Sequence, residues 1–423
     1  MEETIVLRSV DEAQAEMLRH FRPLEREVVP LIEALGRTLA EDVYADMDVP
    51  PFPNAAMDGY AVLGDDVSQA GPEHPVELRI IADLAAGYTT DLKVESGTAV
   101  RIMTGAPLPP GADTVVPFED TDEQHADSLL SQGRVKVLKA NRRGANLRQA
   151  GEDMRRGELV VSAGTWIRPA EIGVLATVGA AHVRVYRRPR VAILATGDEL
   201  VDVGQRPGPG QIRNANGYSN AAQVLAAGGI PLQLPIARDT EDELHARLEQ
   251  GLEWGADLFL TSGGVSVGDY DIVKKVLVSM GSMEFWRVRM KPGKPIAFGH
   301  IRGVPLLGLP GNPVSAMVGF ELFARPALLK MQGRRSWQRP IIQAIFTDQI
   351  RDRSERRQYV RVIVESRDDD FYARLTGEQG SGILTSMSKA NGLMIVPEGQ
   401  ELVGPGSRMP VLMIDWPEWN NGL

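Results

Sequence analysis

Arg190-Val-Ala-Ile-Leu-Ala-Thr-Gly-Asp-Glu199 sets the architecture of the central part of the chain. Its apolar run, Val191 to Ala195, has the length and composition of a buried strand, and the Thr-Gly-Asp-Glu that follows places Glu199 in the loop beyond it. A loop to Ser219 and a helix through Ala226 come next, and the same grammar repeats. Strand Leu232 to Ala237 leads to a helix opened by Thr240-Glu-Asp-Glu243, a capping box, with Leu244, Leu248 and Leu252 along one face. A third strand, Asp257 to Leu260, enters Thr261-Ser-Gly-Gly-Val-Ser-Val-Gly-Asp-Tyr-Asp271, and the following helix carries Ile272, Val273, Val276, Leu277 and Met280 on one side. This alternation predicts a central parallel or mixed α/β unit of three layers, which takes its ligands in the loops beyond the strands' C-terminal ends.

Outward from this unit the text changes. Residues 9–41 carry helical spacing: Ser9 as cap, Ala13, Met17 and Leu18, then Val29, Leu31, Ile32 and Leu35. From Ala45 to Asn146, short apolar stretches such as Val76 to Ala82 and Val135 to Leu138 alternate with Pro and Gly turns. Helical text returns at Pro169, where Ile172, Leu175 and Ala176 share a face. The simplest reading is a helical linking unit in two pieces, 1–46 and 147–186, with a β-rich unit inserted at 47–146. The α/β unit takes 187–335. Strand-like runs at Ile341 to Phe346, Tyr359 to Val364, Ala373 to Leu375, Leu393 to Val396 and Met409 to Ile414 make 336–423 a C-terminal β-barrel-like unit.

Composition narrows the chemistry. With 423 residues the chain exceeds one core, and 43 Gly with 28 Pro fit a turn-rich, multidomain α/β plus β protein. Cysteine is absent, which excludes disulfides, thiolate metal ligands and Cys nucleophiles. Six scattered histidines favour a carboxylate-held hard cation such as Mg²⁺ over zinc. A net charge of −10 argues against general nucleic-acid binding. The acidic start MEETIVLRSV and the lack of any apolar run near ~20 residues point away from a leader or membrane span, making the cytoplasm the expected location.

Four stretches of the α/β unit have the makings of an anion site. Ser262-Gly263-Gly264-Val-Ser266-Val-Gly268 joins a strand to a helix, so backbone N–H groups and two hydroxyls can face an anion. A tight turn accounts for the glycines equally well, and no Gly-Lys-Ser/Thr makes it a P-loop. Asp269 and Asp271 follow, placed to cap that helix or to coordinate a cation. Lys291-Pro-Gly-Lys294 sets two ammonium groups on a stiffened loop. Pro310-Gly311-Asn312-Pro313-Val-Ser315 opens a helix with Asn at the cap and Pro at its first position, leaving amides for a ligand. In the inserted unit, Met57-Asp58-Gly59 and Met103-Thr104-Gly105 each put one polar side chain among small residues, and Arg148 to Asp153 adds cations and carboxylates near the boundary.

Taken in order, these stretches resemble the molybdopterin molybdotransferase family, the bacterial MoeA enzymes and the C-terminal domain of gephyrin. The resemblance spans nearly the whole chain. It rests on Pro51-Phe-Pro-Asn-Ala-Ala-Met-Asp-Gly-Tyr-Ala, Arg101-Ile-Met-Thr-Gly-Ala-Pro, Thr196-Gly-Asp-Glu-Leu, Ser262-Gly-Gly-Val-Ser-Val-Gly, Met290-Lys-Pro-Gly-Lys-Pro and Leu309-Pro-Gly-Asn-Pro-Val-Ser-Ala. It implies four domains, with 187–335 as the molybdopterin-binding one. It also implies a homodimer whose cleft is shared between one subunit's α/β unit and the other's β-rich unit.

The reaction implied inserts molybdate into adenylated molybdopterin with release of AMP, assisted by Mg²⁺. Asp58, Thr104, Asp153, Glu199, Asp239, Asp269, Lys291 and Lys294 fall on the family's functional positions. Glu199, Asp239, Asp269 and Asp271 become the metal candidates. Ser262, Gly263, Gly264, Ser266, Gly268, Pro310, Gly311, Asn312 and Ser315 become the cofactor-binding set. Ala55 and Ala215 depart from the pattern, which usually has serine there. Arg356, Arg361 and Ser381 receive no role. A molybdopterin adenylyltransferase is admitted as a partner. Two rival functions share the resemblance: adenylylation of the pterin, against which the extra domains weigh, and a receptor-organising scaffold, for which no appended module is visible.

Overall fold

The protein, a computed structural model, is described over residues 6–125, 133–263 and 271–416. Its largest element is a seven-stranded mixed sheet in the order Val6–Arg8, Gly281–Val288, Pro295–Ile301, Val304–Leu309, Leu258–Ser262, Arg190–Ala195, Ile230–Gln233. Arg190–Ala195 alternates between two cores, as successive side chains of a strand must. Val191 and Ile193 join one cluster with the helices Val10–Leu18 and Ala215–Ala226. Ala192 and Leu194 join the other with Glu241–Glu253 and Asp271–Met280. Helices thus cover both faces, giving the three layers expected. The strand expected over 232–237 stops pairing at Gln233, and Ala237 returns only as a bridge to Thr196. At Thr240 the hydroxyl accepts from the Glu243 N–H, while the Glu243 carboxylate turns back to the amide of Arg238, so the capping box is half formed.

The N-terminal expectation needs correction. Helix runs over Val10–Leu18 only, opened by a complete Ser9/Glu12 capping box. Arg26–Pro30 is instead a strand paired with His182–Tyr186, and Leu31–Ala34 is a short 3₁₀ turn. Pro23 and Pro30 disfavour a helix interior, and Val28-Val29 suits an extended chain: Val29 is buried while Val28 faces out. The strand Val6–Arg8 and its helix belong to the α/β sheet, where Met17 and Leu18 are buried. The linking unit is accordingly strand and turn with one helix, Pro169–Thr177, around Val29, Leu39, Ile167, Leu175 and Val185.

The inserted unit holds a five-stranded sheet, Thr114–Pro117, Gly59–Val62, Thr98–Ile102, Val76–Leu84, Arg134–Val137. At the C-terminus, Arg357–Arg367, Asp370–Leu375, Ile341–Phe346, Arg408–Met413 and Gly392–Val396 pair in sequence, and the last closes on the first, making a five-stranded barrel. Val360, Val362, Met394 and Val411 fill it. The short strand Met290–Lys291 lies parallel to Arg357–Arg367, with Lys291 in register with Gln358. That pairing fastens the lysine loop of the α/β unit to the barrel.

Candidate active site

Three parallel strands end at one edge of the sheet, and their loops form one wall of a cavity of about 980 Å³. Arg190–Ala195 delivers Thr196, Gly197 and Glu199; Leu258–Ser262 delivers Gly263; Val304–Leu309 delivers Pro310, Gly311 and Asn312. Gly263 has φ +94°, in the region open to glycine, and its N–H donates to the Leu309 carbonyl at 3.1 Å. Asn216 Nδ2 donates to the Gly311 carbonyl at 2.7 Å, bracing the third loop. Asn312 occupies the cap position without a side-chain capping bond, so its amide is not committed to the helix. Among the first-turn amides, that of Val314 donates to the Ser381 carbonyl of the barrel at 3.1 Å, and so is not open to a ligand.

The rest of the lining is rich in cations. Lys291 and Lys294 reach it from the stiffened loop, where Gly293 has φ +101° and the Val288 N–H closes the turn on the Lys294 carbonyl at 2.8 Å. Lys291 is ion-paired to Asp352, whereas Lys294 has no carboxylate partner among the described residues. From the barrel come Arg351, Arg356 and Arg361. Arg361 is 2% exposed; its Nε donates to Ser386 Oγ and its Nη2 to the Gly380 carbonyl, both at 3.0 Å, and it has no carboxylate partner among the described residues. Burial pulls its guanidinium down to about 10, which leaves it charged at neutral pH.

Acidic groups gather at the sheet end. Asp239 and Glu199 line the cavity, and the Asp239 carboxyl is held above the usual carboxylate range by burial first and then by the charges of Asp198 and Glu199. Among the described residues no three His, Asp or Glu side chains stand together as a ready metal cage. Two crowded carboxylates nevertheless suit Mg²⁺, which commonly takes one or two with water and substrate phosphates. The donor set is oxygen only, as a hard cation requires.

Of the expected site residues, Glu199, Asp239, Lys291, Lys294, Gly263, Pro310, Gly311, Asn312 and Ser315 are brought together here. Ser262 is buried at the strand end and does not line the cavity. Gly264, Ser266, Gly268 and Asp269 lie outside the described residues, and of Asp271 only the backbone is described, at the start of its helix. Asp58 and Thr104 meet elsewhere. Asp58 Oδ1 accepts from the Thr104 N–H and hydroxyl, both at 2.7 Å, and these bonds hold its carboxyl below the usual range. Neither lines the cavity, nor does the exposed Asp153. Sequence reasoning gave no place to the barrel's contribution, including Asp352, Gln358 and Gln379, because nothing local marks a strand that packs against a distant loop.

Three family profiles match the chain: the MoeA N-terminal region (domains I and II) over 8–179, a probable molybdopterin-binding domain over 192–330, and the MoeA C-terminal region (domain IV) over 343–414. Molybdopterin molybdenumtransferase 2 of Mycobacterium tuberculosis is 38% identical over 96% of this chain and 99% of its own length. The molybdopterin molybdenumtransferase of Bacillus subtilis is 34% identical, covering 96% of each. The crystal structure of the molybdopterin biosynthesis moeA protein from Pyrococcus horikoshii OT3 superposes with a TM-score of 0.81 at 30% identity, over 96% of this chain and all of that one.

Proposed function

Because this chain belongs to the molybdopterin molybdenumtransferase family, we propose that the cavity between sheet and barrel is where it inserts molybdate into adenylated molybdopterin with release of AMP. The observation that carries this is that one cavity is lined both by the cations Lys291, Lys294, Arg356 and Arg361 and by the carboxylates Glu199 and Asp239. Both reactants are anions, so they approach each other only where fixed cations hold them. Arg361, walled in and hydrogen-bonded, holds an oxyanion without reorganising, and Lys294 neutralises charge that develops on the departing phosphate. Glu199 and Asp239 would hold Mg²⁺, which when bound offsets the negative charge of phosphate oxygens. The dithiolene of the pterin supplies sulfur to the molybdenum, in keeping with a chain that has no cysteine.

The reading includes a homodimer in which the second copy brings Asp58, Thr104 and Asp153 to this cavity. What supports it is that these polar groups do not line the cavity of their own chain. The four-unit division drawn above goes with it, supported by separate core clusters in the linking, inserted and barrel portions, with residues 10–18 packed instead in the α/β core, which also takes in Tyr359, Leu393 and Leu412 of the barrel. A molybdopterin adenylyltransferase, as supplier of the substrate, is the protein partner that fits. Nucleic acid and membrane have no part, and the cytoplasm, where ATP-derived substrates are made, is the location. Among the described residues no helix is long and apolar enough to cross a membrane.

Purified protein given adenylated molybdopterin, Mg²⁺ and molybdate is expected to release AMP, and Lys294→Ala or Asp269→Ala to abolish release with circular dichroism unchanged. Undiminished release in both variants overturns the reading, as does adenylation of molybdopterin from ATP in place of AMP release.

A further inference from the structure

Arg187-Arg188-Pro189-Arg190 joins the strand His182–Tyr186 of the linking unit to Arg190–Ala195, the first parallel strand of the α/β unit. Arg187 is used up in building this joint: it donates to Asp257 at 2.6 and 2.7 Å and to Glu25 at 2.6 Å. Asp257 also accepts the Arg190 N–H at 2.8 Å, which fixes the backbone there. Arg188 and Arg190 are exposed and have no carboxylate partner among the described residues; Arg190 lies over the Trp254 ring and gives one N–H to the Trp254 carbonyl. Both line a second cavity, of about 400 Å³, together with Arg37, Glu27 and Glu33 of the linking unit. It opens at the start of the strand whose far end delivers Thr196 to the candidate active site, about 20 Å away along an extended chain.

Arg37 is 7% exposed. Its Nη2 donates to Glu27 and to the Tyr186 carbonyl, the latter at 2.7 Å. Its Nε and Nη1 have no hydrogen-bond partner among the described residues and are not sealed from solvent, so these N–H groups meet the cavity that the side chain lines. A guanidinium held in this way loses little freedom when it engages an anion. Of the two carboxylates in the lining, Glu27 is taken by Arg37, and Glu33 is exposed and unpaired among the described residues. Glu25 and Asp257, which answer Arg187, do not line the cavity.

We propose that this joint is an anion site apart from the candidate active site, taking a small polyanion of the diphosphate class between Arg37, Arg188 and Arg190. Guanidinium forks match the oxygens of such an ion in pairs, which a point-charge ammonium does not. Arg37 comes from the linking unit and the other two from the joint and the sheet it opens, so an occupant ties the two units together.

The test is calorimetric titration of the full chain with sodium diphosphate in magnesium-free buffer near pH 8, on wild type, Arg188→Ser, Glu33→Gln and Lys294→Ala, with thermal melting of each. Arg188 and Glu33 are exposed and unpaired among the described residues, so neither substitution is expected to move the melting temperature without ligand. Arg188→Ser is expected to weaken diphosphate binding about 10- to 100-fold, the factor for hydrogen bonds to a charged group. Glu33→Gln removes a negative charge from the lining and is expected to tighten binding by up to about fivefold. Wild type should melt higher with diphosphate, and Arg188→Ser should lose most of that rise. Lys294→Ala, in the other cavity, is expected to keep the binding event that Arg188→Ser weakens. No diphosphate binding by wild type, an affinity unmoved by both Arg188→Ser and Glu33→Gln, or loss of all binding in Lys294→Ala overturns the inference. So does a lower ligand-free melting temperature of Arg188→Ser with its affinity unchanged, which would make the arginine a brace of the joint. None of these results bears on the function proposed above, which AMP release decides.

Discussion

Lys291 of the α/β unit is ion-paired to Asp352 of the barrel, and both residues line the cavity. An entering anion must share Lys291 with this carboxylate, so Asp352 lowers the affinity of the site for its substrate. The side chains are 42% and 26% exposed, which puts the pair in the screened class worth about 0–1 kcal/mol. Asp352→Asn is therefore expected to lower the KM for molybdate by up to about fivefold, with little change in melting temperature. A raised KM would show that Asp352 holds Lys291 in place for the substrate rather than competing with it.

Magnesium binding should be readable as stability. Addition of MgCl₂ to wild type is expected to raise the melting temperature and EDTA to reverse it, because a bound cation relieves the crowding of Asp239, Asp198 and Glu199. Asp239→Asn is expected to melt at least as high as wild type without metal and to lose most of the Mg²⁺ response. An equal Mg²⁺ shift in the variant places the cation elsewhere.

Asp58 provides the pH dependence. Its carboxyl is held below the ordinary value of about 3.9 by two hydrogen bonds from Thr104, so the contribution of those bonds to stability is present above that value and is lost as pH falls through the lowered one. Carbon-13 NMR of the Asp58 carboxyl should give a midpoint below that of an unstructured peptide. Thr104→Val, which removes the hydroxyl, should move it part of the way back up, since the backbone donor remains. An unmoved midpoint means that the amide alone sets it.

A core test separates packing from helix propensity. Gly251 lies in Glu241–Glu253, where alanine would ordinarily stabilise by about 1 kcal/mol. Here an added Cβ overlaps the ring of the fully buried Phe259 and crowds Ala192 at 3.1 Å. Gly251→Ala is expected to destabilise by about 1–3 kcal/mol in urea unfolding, a reversal of sign from overpacking.

The legible parts of this protein are those whose physics is local. Val191 to Ala195 and Ile341 to Phe346 read as strands because a short apolar run of strand length has few other uses, and Ser9 with Glu12 fixes a helix start by its own hydrogen bonds. The stretch Val29 to Leu35 misled because four apolar residues fit a helical face and also a strand followed by a 3₁₀ turn, and only pairing with His182–Tyr186 decides between them. The site divides in the same way. Glu199, Gly263, Lys294 and Asn312 stand in loops whose glycines and prolines announce them. Asp352 and Gln358 come from the barrel and meet Lys291 only after two units have docked, 61 residues along the chain in the case of Asp352.

The strand Val6–Arg8 pairs with residues that the ribosome delivers about 280 positions later, and the helix behind it packs in the same core. During synthesis the apolar face bearing Met17 and Leu18 has no native surface to meet until Gly281–Val288 and the helical segment ending at Met331 have emerged. The inserted and linking units can close in the meantime. The largest sheet is thus the last of these to be completed, and a fragment cut at residue 187 to isolate it would lose its edge strand and expose Trp286 and Val288. Any dissection of this enzyme should keep its first twenty residues with the sheet they complete.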